Sequence, residues 1–204
     1  MTRIATGIVL FLAAAGSVIP RYFTSGFTHV IPHGLDHVLF ILGLFLLNRS
    51  FAILLFQLTL FTLAHSLTLG LALYGIVSLP SPVVEIAIAV SISFIAIENL
   101  ISRDRLSAWR PWVVFGFGLI HGLGFAHTFA GSPPAADEFL PALFSFNFGI
   151  ECGQLAVVAL AFGVSRLFPN PVNYHRRIVV PACVMIAAAG ILLAVQRVAG
   201  SSHF

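Results

Sequence analysis

Lysine is absent from this sequence, and charge of either sign is scarce: only 8% of the 204 residues are charged. A soluble domain carries about 25%, so there are too few polar groups here to coat a water-facing surface. The ten basic residues are all arginines, scattered between apolar runs rather than gathered in a patch. Nucleic-acid binding is therefore not the meaning of the net charge of +3. Only two cysteines occur, Cys152 and Cys183, both inside apolar runs, and they form no paired thiolate motif. A P-loop, a linker tract, a low-complexity segment and a convincing internal repeat are all missing. What is abundant is apolar surface: 59% of residues are hydrophobic and the mean hydropathy is +1.03. The fold class this implies is an all-α, polytopic transmembrane helix bundle, a single domain over residues 1–204.

Seven apolar runs are separable, at 4–20, 33–48, 51–76, 82–101, 111–131, 139–166 and 178–198. Most approach the ~20 residues needed to cross a bilayer, and the second is short. Turn-rich breaks separate them: NRS at 48–50, LPSP at 79–82, GSPPAADE at 131–138 and FPNPVN at 168–173. Residues 1–20 have two readings, a first helix or a signal peptide, because Arg3 precedes an apolar stretch ending in Ala13-Ala14-Ala15. Cleavage would leave six helices. Arginine placement sets the orientation. With the N-terminus inside, Arg3, Arg49, Arg103, Arg105, Arg110, Arg166, Arg176 and Arg177 are cytoplasmic, and only Arg21 and Arg197 are outside. The C-terminus is then outside.

Against that apolar background the ionisable residues stand out. HVIPHGLDHVLF at 29–40 opens the second run with three histidines and an aspartate. Pro32 suits the first turn of a helix starting on the outer side; His33, Asp36 and His37 then share a face, and His29 sits just before them on the outer loop. An interfacial cap is the plain alternative. The third run carries Thr62, His65 and Ser66 on one face. The fourth has Glu85 near the outer surface and Glu98-Asn99 toward the cytoplasm, and the fifth has His121 near its middle with His127 further out. In the sixth, Asn147, Glu151 and Gln154 form one stripe. A lone His65 or Glu151 could simply be hydrogen-bonded in helix packing, and Gly118-x-x-x-Gly122 reads as close packing. Their coincidence carries the functional reading. Asp36, His37, His65, His121 and Glu151 come from several helices and fall in the outer half or centre of the membrane, where bundles build their sites. Imidazole plus carboxylate suits nickel, zinc, iron or cobalt, and the lack of a thiolate motif disfavours Cu(I).

With those residues in view, the chain resembles the HupE/UreJ family of bacterial membrane proteins, accessory to hydrogenases and ureases. The carriers are GFTHVIPHGLDHVLFILGLFLL, FTLAHSLTL, VVEIAIAVSISFIAIENL, FGLIHGLGFA and FNFGIECGQL, in that order. HGLGFA at 121–126 stands where the better-studied branch has a His-rich, Glu-containing motif, and no glutamate closely follows it here. The resemblance implies a nickel permease or metal transporter in a bacterial inner membrane, with His29, Asp36 and His37 at the metal.

The expectation is a divalent transition-metal permease, nickel or zinc being the ions best suited. His29, His33, Asp36 and His37 would receive the ion, and His65, His121 and Glu151 would form the inner ligands. Ser66, Glu85, Glu98, His127, Asn147 and Gln154 would be further pathway or supporting residues. Expected partners are membrane lipids and the metal ion as substrate, with no nucleic acid; a homo-oligomer stays open. Two rivals remain: an intramembrane zinc hydrolase with Ser66 or Glu151 assisting, and a metal-free channel for a small molecule.

Overall fold

The structure, a computed structural model, describes residues 16, 18–48, 50–102, 107–129, 134, 135 and 137–201. The expected first helix or signal peptide over 1–20 lies outside them, apart from Gly16 and residues 18–20. The described chain is helical throughout, with no strand among the described residues. Its elements are α1 (Val18–Val30), α2 (Leu35–Leu47), α3 (Phe51–Leu73), α4 (Ser81–Ser102), α5 (Arg110–Phe129) and α6 (Phe139–Ser165). A last long helix begins as α7 (Pro171–Tyr174), passes through a π turn (His175–Val179) and continues as α8 (Val180–Ser201).

Three helices, α3, α4 and α6, together with the joined helix Val172–Gly200, are long and apolar enough to cross a membrane. Their outward faces carry exposed Leu63, Phe144, Phe148, Leu160 and Val195, side chains that suit lipid. The protein is a multi-pass membrane protein.

The second apolar run departs from the simple reading. α2 has 13 residues, about 20 Å at 1.5 Å per residue, too short to cross a hydrocarbon core of about 30 Å. It is the second half of a broken pair: α1 and α2 meet at 67° across residues 31–34. The segment 18–30, which reads as a loop in sequence, is therefore a helix, and His29 lies in its last turn. Pro32 begins no helix; it sits in the break, after a cis Ile31–Pro32 bond. Gly34 permits the tight return, since a Cβ there would run into the His29 carbonyl.

Close packing then fixes the order of the bundle. In lipid, helices associate by van der Waals contact rather than by escape from water, so small residues set the seams. The α3–α5 seam is one of the two most extensive. A Cβ on Gly118 would stand 2.6 Å from the Phe61 carbonyl oxygen, and one on Gly122 would strike the His65 carbonyl. The expected use of Gly118-x-x-x-Gly122 is thus the observed one. Advancing along α5 advances along α3, so these two helices run parallel. α1 lies along α6, where Gly149 meets Phe23 and Phe27 and Gly153 meets Val30. The other extensive seam is α4–α8.

Candidate functional site

Four elements bring four imidazoles together: His29 from α1, His37 from α2, His65 from α3 and His121 from α5. Ring centroids are 4.6 Å apart for His29–His37, 5.1 Å for His37–His121, 5.8 Å for His37–His65 and 6.0 Å for His29–His65. The break between α1 and α2 makes this possible. It ends one helix at His29 and starts the next just before His37, so both rings reach the same interior point. The α3–α5 glycine seam supplies the other pair, because Gly122 draws α5 onto the backbone of His65 itself.

Five of the eight ring nitrogens in this cluster are buried without a partner. His37, His65 and His121 are at most 5% exposed. His29 Nε2, His37 Nε2, His121 Nε2 and both nitrogens of His65 are buried with no hydrogen-bond partner. Leaving a buried polar atom unmatched costs about 1–3 kcal/mol, so this grouping is unfavourable for folding alone. His121 is oriented: its Nδ1–H donates to the Phe117 carbonyl at 2.8 Å. A carbonyl can only accept, so the Nε2 of His121 keeps its lone pair for the pocket. The Phe125 ring packs 3.9 Å from the His29 ring and the Phe61 ring 5.0 Å from the His121 ring, centroid to centroid, so aromatic side chains flank the cluster.

A pocket of about 360 Å³ leads to these rings; His29, His37 and His121 line it, and His65 stands behind them. Its mouth is charged. Asp36, in the first turn of α2, accepts a hydrogen bond from Arg197 of α8 at 2.7 Å. Glu85, near the start of α4, holds the other side of that guanidinium with Oε2 3.9 Å from Nε. His33 lies at the rim, exposed in the break rather than on the face of a helix with Asp36 and His37.

The remaining candidates lie elsewhere. Glu151 accepts from Thr59 Oγ1 at 2.8 Å on the α3–α6 seam and does not line the pocket. Thr62 Oγ1 donates to Gln154 Oε1 at 3.3 Å, Asn147 Nδ2 to the Leu143 carbonyl at 2.7 Å, and Ser66 Oγ to the Thr62 carbonyl at 2.6 Å. The side chain of His127 lies outside the described set. Glu98 is at the opposite end of α4 from Glu85, about 20 Å away along the helix. There it pairs with Arg110 at 2.6 Å, both side chains being nearly inaccessible. Asn99 joins them: its Nδ2 donates to the Gly43 carbonyl at 2.7 Å and its Oδ1 lies 3.4 Å from Arg110 Nη1. Two helices, α2 and α4, and α5's first residue are stapled together at this far end. Glu98 does not line the pocket.

Among the described residues no group of three or more His, Cys, Asp or Glu forms a ready cation cage. The rings meet in T-shaped and tilted contacts instead. Sequence reasoning used Arg197 only for orientation and missed it as part of the mouth. The available signal was its isolation: with Arg21 it is one of only two arginines assigned to the outer side, where Asp36 and Glu85 were also placed.

Fold and site together define a class: a multi-pass membrane helix bundle with a histidine pocket built at a broken helix. A family model described as HupE / UreJ protein matches residues 7–197, and the chain belongs to that family. No curated protein and no solved structure matches it.

Proposed function

We propose that this protein is a permease for a divalent transition-metal cation of the nickel type, working in a bacterial inner membrane with the metal as its cargo. The observation that carries the reading is the convergence of His29, His37, His65 and His121 at a helix break, with five of their nitrogens buried and unpartnered. Groups so costly to bury are retained where a ligand satisfies them. Broken helices with a site at the break are how many transporters hold ions near mid-membrane. Neutral imidazoles suit nickel, cobalt and zinc, while Asp36 at the mouth supplies compensating charge. Edge-on rings must turn to coordinate, which favours a weak, releasable site, and conduction needs binding that lets go.

The hydrolase alternative has less support. Ser66 is engaged by its own helix backbone and Glu151 by Thr59, so neither assists at the rings. The experiment is calorimetric titration of nickel, cobalt and zinc into the purified protein in nanodiscs, followed by chelation. Binding at one site that a chelator strips readily fits a permease. Zinc retained stoichiometrically through purification and chelation fits a metalloenzyme and overturns the proposal.

A further inference from the structure

We propose that Arg197 is the selectivity gate of the histidine pocket, a tethered cation that closes the Asp36–Glu85 mouth against monovalent ions and yields to divalent ones. The inference rests on the permease reading and concerns what that pathway admits.

The geometry places a guanidinium where an incoming cation would first meet charge. Arg197 Nη2 is 2.7 Å from Asp36 Oδ2, and Nη1 donates to the backbone carbonyl of Glu85. Ser81 Oγ donates to Glu85 Oε1 at 2.8 Å, steadying that carboxylate with its other oxygen toward Arg197. All three charged side chains line the pocket that ends at His29, His37 and His121. A cation bound for the imidazoles therefore competes with Arg197 for Asp36.

The competition depends on valence. Arginine does not lose its proton, so the mouth always holds a positive charge against two carboxylates. A sodium ion displacing it exchanges one unit charge for another and gains no net Coulomb energy. It must also displace a tethered group that makes directed hydrogen bonds to Asp36 and to the Glu85 carbonyl. A divalent ion doubles the attraction to the same carboxylates and has imidazole lone pairs behind them. The displaced side chain has somewhere to go. Arg197 lies near the end of α8 with its side chain 19% exposed, and its second carboxylate contact is a loose 3.9 Å. It can swing its charged head outward to water while its stem stays on apolar surface.

A purely structural role, stapling α8 to α2 and α4, is the competing account, and it makes no distinction between ions. The test uses the full-length protein in nanodiscs and reads pocket access without transport: carbethoxylation of His29, His37 and His121 by diethyl pyrocarbonate, quantified peptide by peptide. In the wild type, labelling should be slow, should slow further with nickel, and should be indifferent to about 0.3 M NaCl, a salt level that screens exposed charge. In Arg197→Gln it should be about tenfold faster, and sodium should now protect. Arg197→Lys keeps a tethered cation but not the fork that reaches Asp36 and the Glu85 carbonyl together, so it should label at a rate between the wild type and Arg197→Gln, with sodium still giving no protection. The proposal is overturned if Arg197→Gln labels at the wild-type rate, if sodium protects the wild type equally, or if Lys and Gln variants open alike. Should Arg197→Gln fail to insert, Asp36→Asn decides: removing the carboxylate that Arg197 meets at 2.7 Å should speed labelling several-fold, and unchanged labelling overturns the gate. If nickel protects nothing in any variant, the permease reading fails, while the labelling rates and the sodium arm still judge the gate separately.

Discussion

His65 is fully buried with both ring nitrogens unpartnered, so its presence costs stability. A phenyl ring of similar shape carries no such penalty. His65→Phe is therefore expected to raise the thermal midpoint, by about 2–4 °C if one kcal/mol is recovered, and to reduce cation binding at least tenfold. A lowered midpoint would mean that the imidazole is held by interactions its geometry does not suggest. Arg110 behaves oppositely. Its pair with Glu98 is almost inaccessible, and removing one member of such a pair leaves an uncompensated charge, at a cost of about 3–5 kcal/mol. Arg110→Met should lower the thermal midpoint sharply, and the double change Arg110→Met with Glu98→Leu should recover most of the loss. Equal melting of the single and double variants would contradict this. His33, exposed at the rim, should tolerate alanine with less than about threefold loss of cation affinity.

At the scale of elements, legibility followed how each helix is stabilised. α3, α4 and α6 were readable because long apolar runs bounded by turn residues leave little choice in a membrane. α1 was not. Arg21, Thr24, Ser25, Thr28 and His29 give it the composition of a loop, and it is helical because Gly149 and Gly153 of α6 offer it a close seat. The break it makes with α2 also decided which histidines converge. Spacing alone grouped His33 with His37, whereas the break turns His33 to the rim and brings His29 inward. The sequence groups His37, His65 and His121 with Glu151 on four helices; that His29 would join from a helix of its own, and that Glu151 would sit apart on Thr59, required the helix registers. The α3–α5 seam is the element most exposed to test. Gly122→Leu must push α5 off the His65 backbone, and the glycine next to His121 is where such a shift matters most. The variant should insert, melt several degrees lower, and lose cation binding, although no pocket side chain has been altered. Intact binding would show that the seam does not position the rings.

For the whole molecule, the two ends of the bundle differ. The mouth end holds Asp36, Glu85 and Arg197 around a pocket, and the far end holds the buried Arg110–Glu98 pair with Asn99 beside it. Arginine counting assigns the mouth to the outside. Cysteines introduced one at a time at Ser78, on the α3–α4 connection, and at Ala108, before α5, should then label from opposite faces of sealed cells, Ser78 from without. The reverse pattern would turn the pathway around. The most direct test of the central claim is nickel flux into proteoliposomes, comparing the wild type with His37→Ala, whose ring touches all three other imidazoles. Uptake well above that of empty vesicles, falling at least tenfold in the variant while its insertion is unchanged, is the expected result. Flux by the wild type no greater than that of empty vesicles, or equal flux by both proteins, would contradict it.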